Sequence, residues 1–463
     1  MTDVIEELKK AKKFLDAKEP DEAWDVIDPL LREDPDDPRV LLAAAEVQEK
    51  SRRITTAYQF AERAVHKAPN ISGSWLMFGR MADLLYRFDD AEMAYRKSLE
   101  IAPDNARKAT AVMNLSGLYL TKGMWEEAEK HARQALELKP DAWMAKGNLG
   151  MACLAQRKWL DGWRGYEAIV GSEQRKNRKY GNEPTWAGEK KKTVIVYGEQ
   201  GMGDEISFAS MLPDLIADSR KVIVDCDARL KGLFKRSFPE ASIHGTRWAE
   251  ALDWDEEDRK FDASITMGGL GRYYRLRDED FPGKPYLIPD PDRVTMWKAL
   301  FDRQRPAIGI AWTGGLSWTG SKFRKWSLEE MTPLFRSISA HWVSLQYKDA
   351  SKEMQAFKGA NITQYRFGTL TNDYDDTAAL VASLDLVICM QTAVAHLAGA
   401  LGKECWVFVP KLSQWRYGKG DDIPWYKSVK VFRQRQDGSW PLDEASKLLT
   451  LRYGNLCSIL KTA

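Results

Sequence analysis

Apolar residues between positions 2 and 165 recur at helical spacing. After Lys192 they gather instead into short runs separated by Gly-rich turns and amphipathic stretches. The first pattern predicts a series of helical hairpins, opening with the charged amphipathic stretch MTDVIEELKKAKKF. The second predicts strands at TVIVY (193–197), KVIVDCD (221–227), SIHG and DASITMG, with helices at ISFASMLPDLIAD (206–218) and ARLKGLFKRSF. A further series begins at Pro306. Its strands are AIGIAWTGG, HWVSLQY, NITQY, DLVICM and ECWVFVP, and its helices are SLEEMTPLFRSIS, TAALVASL and TAVAHLAGALG. RVTMWKALFDR (293–303) links the two series, and the helical run EASKLLTLRYGNLCSIL is expected to pack back across both. Strand alternating with helix makes a parallel sheet with crossover helices, so the fold class is α + α/β: an all-α solenoid followed by two doubly wound lobes. The boundaries read as 1–170 for the solenoid, 171–192 for a polar linker, 193–304 for the first lobe and 305–463 for the second, which includes the closing helix.

The helical part is periodic. Prolines stand at Pro35, Pro69, Pro103 and Pro140, and alanines at Ala23, Ala57, Ala91 and Ala128 keep step with them. Alanine lets two helices approach closely, and proline stops the second helix by breaking the hydrogen-bond ladder. DDAEMAYRKSLEIAPDN shows the unit best, and WEEAEKHARQALELKPDA repeats it. The segment resembles the tetratricopeptide repeat over about residues 2–165, in about four units, with a degenerate first unit and a last one, around Trp143–Val170, that has no closing Pro. Two uses of such an array stay open: gripping a peptide or protein partner in its concave groove, and bracing or self-association.

Composition narrows the function classes. Lys+Arg 69 against Asp+Glu 67 argues against a dedicated nucleic-acid binder. The five cysteines, 153, 226, 389, 405 and 457, are scattered without CxxC spacing, which suits reduced thiols and provides no metal framework. No apolar run reaches the ~20 residues of a membrane span, and the N-terminus is not a signal peptide, so a cytoplasmic protein is expected.

Three segments carry candidate chemistry, each directly after a strand. GEQGMGDEISF places Gly201 and Gly203 in a tight turn, with Asp204 and Glu205 at a helix start. Asp204 is either a plain helix cap or a general base taking a proton from a substrate hydroxyl. Gln391, Thr392, Ala393 and His396 open the helix after DLVICM. Thr392 is a natural N-cap, and a helix start there suits a phosphate. His396, on the same face, is either a charge-carrying donor or a packed core residue. In WTGGLSWTGSKFRKWSLEE (312–330), Lys322, Arg324 and Lys325 supply cations that clamp phosphate oxygens or simply face solvent. Trp312, Trp318, Trp326, Trp415, Trp425 and Trp440 cluster in the same module, either as core or as faces that stack on sugar rings or a base. Asp225 and Asp227 end a strand where an acceptor contact is open to them.

Taken together, GEQGMGDEISFAS, DTAALVASLDLVI with TAVAHLAGALGK and WVFVP, and the late WRYG, PWY and KVFRQ stretches are similar to the ADP-heptose:lipopolysaccharide heptosyltransferase family, in the variety fused to tetratricopeptide repeats. The resemblance covers about residues 193–450. It implies two Rossmann-like lobes in a GT-B arrangement, an acceptor lobe first and a nucleotide-sugar lobe second. It implies Asp204 as base, Thr392, Ala393 and His396 near the donor diphosphate, Arg324 or Lys325 on the phosphates, and Gln346 and Thr377 near the nucleotide. Where the family carries an acidic residue, this chain has Gln391, an uncharged amide that both donates and accepts.

What the resemblance implies is an inverting glycosyltransferase using a nucleotide-diphosphate sugar, with a saccharide, lipid or protein acceptor. No metal or other cofactor is expected, since Arg, Lys, His and a helix dipole take the phosphate charge. Partners expected are the nucleotide sugar, the acceptor and a protein bound through the repeats, with no nucleic acid and no membrane span. The alternative is a non-catalytic nucleotide-binding or scaffold protein.

Overall fold

A computed structural model describes residues 3–172, 175–301, 304–315, 321–371 and 373–459. The chain divides into two compact units, Met1–Cys153 and Leu154–Ala463.

In the first unit, helices pair in sequence: α1 Val4–Asp16 with α2 Pro20–Glu33, α3 Pro38–Lys50 with α4 Ile54–Lys67, α5 Ser72–Leu84 with α6 Phe88–Glu100, and α7 Asn105–Thr121 with α8 Trp125–Leu138. Ala23, Ala57, Ala91 and Ala128, the periodic alanines, are completely buried on the second helix of each pair. The periodic prolines follow the ends of α2, α4, α6 and α8, where the ladder stops. Within each hairpin the turn is made by one residue in the left-handed region: Lys18, Arg52, Tyr86 and Gly123, spaced like the alanines. Asp3, Asp37 and Asp104 cap the first helices of three pairs by accepting backbone N–H bonds. Helix α9 (Trp143–Ala155) closes the unit.

The second unit opens with α10 (Trp159–Glu167), preceded by another left-handed residue, Arg157. Sequence reading assigned this helix to the solenoid. Its side chains pack with the α/β region: Trp163 and Tyr166 lie against Phe208 and Trp415, and the Trp163 indole donates to the Arg275 carbonyl at 2.7 Å.

The first sheet has strands β1 Thr193–Tyr197, β2 Lys221–Asp225, β3 Ser242–His244 and β4 Ala263–Thr266, all parallel, in the order β3-β2-β1-β4. The helices α11 Met202–Phe208, α12 Leu212–Asp218, α13 Lys231–Ser237 and α14 Gly271–Tyr274 accompany it. The single helix expected over 206–218 is interrupted by a 3₁₀ turn ahead of Pro213. After α15 (Pro291–Leu300), the second sheet runs β10-β9-β8-β5-β6-β7, also parallel. Its strands are β5 Ala307–Ala311, β6 His341–Ser344, β7 Ile362–Thr363, β8 Leu386–Met390, β9 Cys405–Val409 and β10 Val429–Arg433. Its helices are α16 Thr332–Ser337, α17 Ser351–Ala356, α18 Arg366–Thr369, α19 Tyr374–Ser383, α20 Ala393–Ala400 and α21 Leu442–Ile459. Leu442, Ala445, Leu449 and Tyr453 of α21 join the core of the second sheet, not a bridge across both modules. No helix among the described residues is long and apolar enough to cross a membrane.

Segment 175–192 is more than a solvated linker. Arg175 is fully buried, with its guanidinium on Glu199 at 2.9 Å and on the Thr266 hydroxyl at 2.9 Å. Trp186 is buried, and Thr185 bridges Ser264 beside β4. A buried cation is tolerable only when paired, and the acidic partner comes from the loop after β1.

Candidate functional site

In an open parallel sheet the strand order reverses at one point, and the carboxyl ends there leave a crevice. In the second sheet that point is β5 beside β8, and in the first it is β1 beside β4. The three segments singled out in the sequence follow β1, β5 and β8, so all sit at these crevices.

The loop after β5 folds back on itself. Thr313 bridges Lys325, the Trp326 amide donates to the Trp312 carbonyl at 2.8 Å, and the Gly314 amide donates to the Arg324 carbonyl at 3.1 Å. Beside it lies a cavity of about 310 Å³ walled by Lys322, Lys325 and Lys348, by Gln346 and Tyr347, and by the Gly314–Gly315 backbone. Gln346 is held against Thr313, accepting from its amide at 3.4 Å and donating to its hydroxyl. Three lysines around one polar cavity make a site for an anion. Arg324 behaves otherwise than expected: its side chain is buried and is absent from this wall, and Lys325 takes the place facing the cavity. Trp318 lies outside the described residues. Trp312, Trp326, Trp415 and Trp425 are buried, which makes them core, not open stacking faces.

From the cavity wall a chain of close contacts leads to the first lobe. A Cβ on Gly314 would stand 2.0 Å from the Thr392 methyl, so only glycine fits there. Thr392 caps α20, accepting from the Val394 amide at 3.3 Å. Ala393, the next residue, meets Gly203: a Cβ on Gly203 would lie 3.2 Å from the Ala393 Cα and 3.3 Å from the His396 ring. Gly203 is thus required for close helix approach, and Gly201 is the N-cap of α11 in extended conformation.

Asp204 follows in the third position of α11, and from there its carboxylate reaches back to the N-cap amide, so the cap reading holds for the helix start. One carboxylate oxygen accepts from the Gly201 amide at 3.0 Å, and the other lies 2.7 Å from a guanidinium nitrogen of Arg416. Its side chain stays 26% exposed while that of Arg416 is 5% exposed. The Arg416 guanidinium also rests over Trp415 (4.3 Å) and Phe208 (4.8 Å). Burial alone would pull this guanidinium down, but Asp204 and the Tyr166 oxygen more than offset that and leave it above its ordinary value.

His396 is buried, with Nδ1 3.3 Å from the Tyr426 hydroxyl. Burial, reinforced by the nearby Arg416 charge, lowers its pKa to about 4, so the imidazole is neutral near pH 7. Of the two roles open to His396, the buried neutral ring fits the packed residue, since its surroundings do not solvate an imidazolium. Glu205 is fully buried, paired with Arg247 and accepting from the Asp227 amide at 2.9 Å, which makes it a tie within the lobe. Gln391 is buried as well, its oxygen accepting from the Gln414 amide at 3.4 Å. The Thr377 hydroxyl donates to the Gly368 carbonyl at 2.7 Å, tying α18 to α19. Asp225, buried, accepts from the Thr246 amide and hydroxyl, both at 2.9 Å, and from the Tyr180 hydroxyl at 2.8 Å, so it holds loops together.

Sequence reading missed Arg416, Tyr166, Tyr347 and Lys348. The run WRYG was legible as a motif without a role, and the pairing of Arg416 with Asp204 joins positions too distant in sequence for spacing to reveal.

Residues 8–71 and 77–141 match the Tetratricopeptide repeat family. Protein FlbA of Caulobacter vibrioides is 28% identical over 411 residues, covering 84% of this chain and 68% of that protein. Among solved structures, a thermophilic tetratricopeptide-repeat protein of Thermus thermophilus is 20% identical over 35% of this chain and 89% of its own, with a TM-score of 0.32. PilW, a type IV pilus biogenesis factor, is 17% identical over 35% of this chain and 74% of its own, with a TM-score of 0.33. The N-terminal region of this protein is built of tetratricopeptide repeats, and a two-sheet parallel α/β region follows it.

Proposed function

We propose that the α/β region is a glycosyltransferase that moves a sugar from a nucleotide-diphosphate sugar to a hydroxyl of a saccharide, lipid or protein. The observation that supports this most is the lysine-walled cavity at the switch point of the second sheet, linked through Gly314, Thr392, Ala393 and Gly203 to Asp204. In this reading Lys322, Lys325 and Lys348 hold the diphosphate and Tyr347 offers a ring face to the base. Asp204 takes the proton of the acceptor hydroxyl. The acceptor oxygen bonds to the anomeric carbon, the bond from that carbon to the diphosphate oxygen breaks, and its electron pair leaves with the phosphate against the lysines. Two contacts on Asp204 leave room for the hydroxyl, because a carboxylate has about four acceptor positions. Such repeats commonly form protein-binding surfaces, and here they bring the acceptor or a partner protein.

A second reading, a nucleotide-binding scaffold without turnover, is favoured by the buried Gln391 amide and the neutral His396. A hydrolysis and transfer screen across nucleotide sugars separates the two. Turnover of one donor, lost in Asp204→Asn with donor binding kept, supports the enzyme. Tight nucleotide binding without turnover of any donor supports the scaffold and rejects the transferase.

A further inference from the structure

We infer that Arg416 is the positioning residue for Asp204, holding from the second lobe the carboxylate that the first lobe supplies; this rests on the transferase reading above. Arg416 sits in a 3₁₀ turn, Trp415–Tyr417, after β9. Taking a guanidinium out of water is expensive and is tolerated only beside an anion. Its anion is Asp204 at 2.7 Å; the Phe208 and Trp415 rings lie against its planar face, and Nε and one Nη are buried without a hydrogen-bond partner among the described residues.

The pair is lopsided. The cation is sealed at 5% exposure and the anion keeps 26%. The carboxylate is the more open partner, and its counter-charge braces it from the buried side. The Gly201 amide holds the second carboxylate oxygen at 3.0 Å, so each oxygen has its own contact, one a hydrogen bond and the other an ion pair. Arg suits this place better than Lys because its planar fork stacks between aromatic faces while it pairs.

The test uses the full-length chain. With a donor that turns over, Arg416→Met should lower kcat by about 100-fold, as misplacing a reacting group does, with donor KM within about twofold, since the lysine cavity is untouched. Arg416→Lys should restore part of the loss by returning a charge without the fork. Unchanged kcat in the Met variant, or loss of kcat and donor affinity in step for both variants, would overturn the assignment. A second measurement needs no turnover: the carboxyl ¹³C resonance of Asp204 in aspartate-labelled protein, assigned by its absence in Asp204→Asn. It should shift in Arg416→Met and return partway in Arg416→Lys, and an unmoved resonance overturns the contact. If the Met variant does not fold, Arg416→Lys alone decides, by a displaced resonance or an unaltered one. If no nucleotide sugar turns over, the transferase reading fails while the resonance still answers for Arg416.

Discussion

Gly203 of α11 and Ala393 of α20 meet so closely that a methyl group on the glycine would lie 3.2 Å from the alanine Cα. Through this contact the first turn of α11, which carries Asp204, is seated against the start of α20. Gly203→Val should therefore force the helices apart and cost about 2 kcal/mol, the usual penalty for overpacking. Urea unfolding reads the loss, and Gly201→Ala, at an extended cap position, serves as the milder comparison.

The hairpin turns of the repeats are strained where the left-handed residue is not glycine. Lys18, at φ 66°, is exposed. Lys18→Gly should stabilise the first hairpin by about 1 kcal/mol, because a Cβ is costly in that conformation. A rise in the unfolding midpoint of the repeat unit confirms it, and a fall would assign the lysine a compensating contact.

His396 makes a pH prediction whose sign is settled by burial. Its pKa falls from 6.5 to about 4 on folding, so the native state refuses a proton that the unfolded chain accepts. Stability is unaffected above about pH 6.5 and is lost progressively as pH falls toward 4. At pH 4.5 the penalty should be roughly 2–3 kcal/mol. Comparing urea midpoints of the native chain and His396→Phe at pH 7.5 and 4.5 isolates it: the native chain should lose more.

Nucleotide affinity should follow the cavity wall. Lys325→Ala is expected to weaken binding of a nucleoside diphosphate about tenfold, the worth of one charge-assisted contact. Arg324→Ala, which empties a buried position, should lower stability and leave affinity within about twofold. Calorimetric titration of both variants distinguishes the lysine assignment from the arginine one.

The repeat period was legible because two residue types mark it independently: the buried alanines and the terminating prolines. The turns between helices were not, because Lys18, Arg52 and Tyr86 adopt a conformation usually left to glycine. Strands β1 to β9 were readable as short apolar runs. The last, β10, carries exposed Lys430 on an edge and reads as a charged stretch. At the candidate site, the loops after β1, β5 and β8 were found from their glycines and polar residues. What failed was the environment of single side chains. Nothing in TAVAHLAGALG tells that Tyr426 meets the histidine from another segment, or that Arg324 turns inward while Lys325 faces the cavity. Arg175 lay in a run of cations that looked wet, and its burial depends on Glu199, 24 residues on.

That buried arginine decides where the chain can be cut. A fragment starting at Lys192, the apparent beginning of the α/β region, would lose the guanidinium that neutralises Glu199, whose carboxyl burial already pushes upward, and would strip Trp186 from the sheet edge. It is expected to aggregate on expression. One that begins before Leu154 keeps α10 with its tryptophans and should remain monodisperse in gel filtration. The segment joining repeats to sheets is thus a seam sewn into the downstream half, and the natural place to divide the protein lies one helix earlier than its charge pattern suggests.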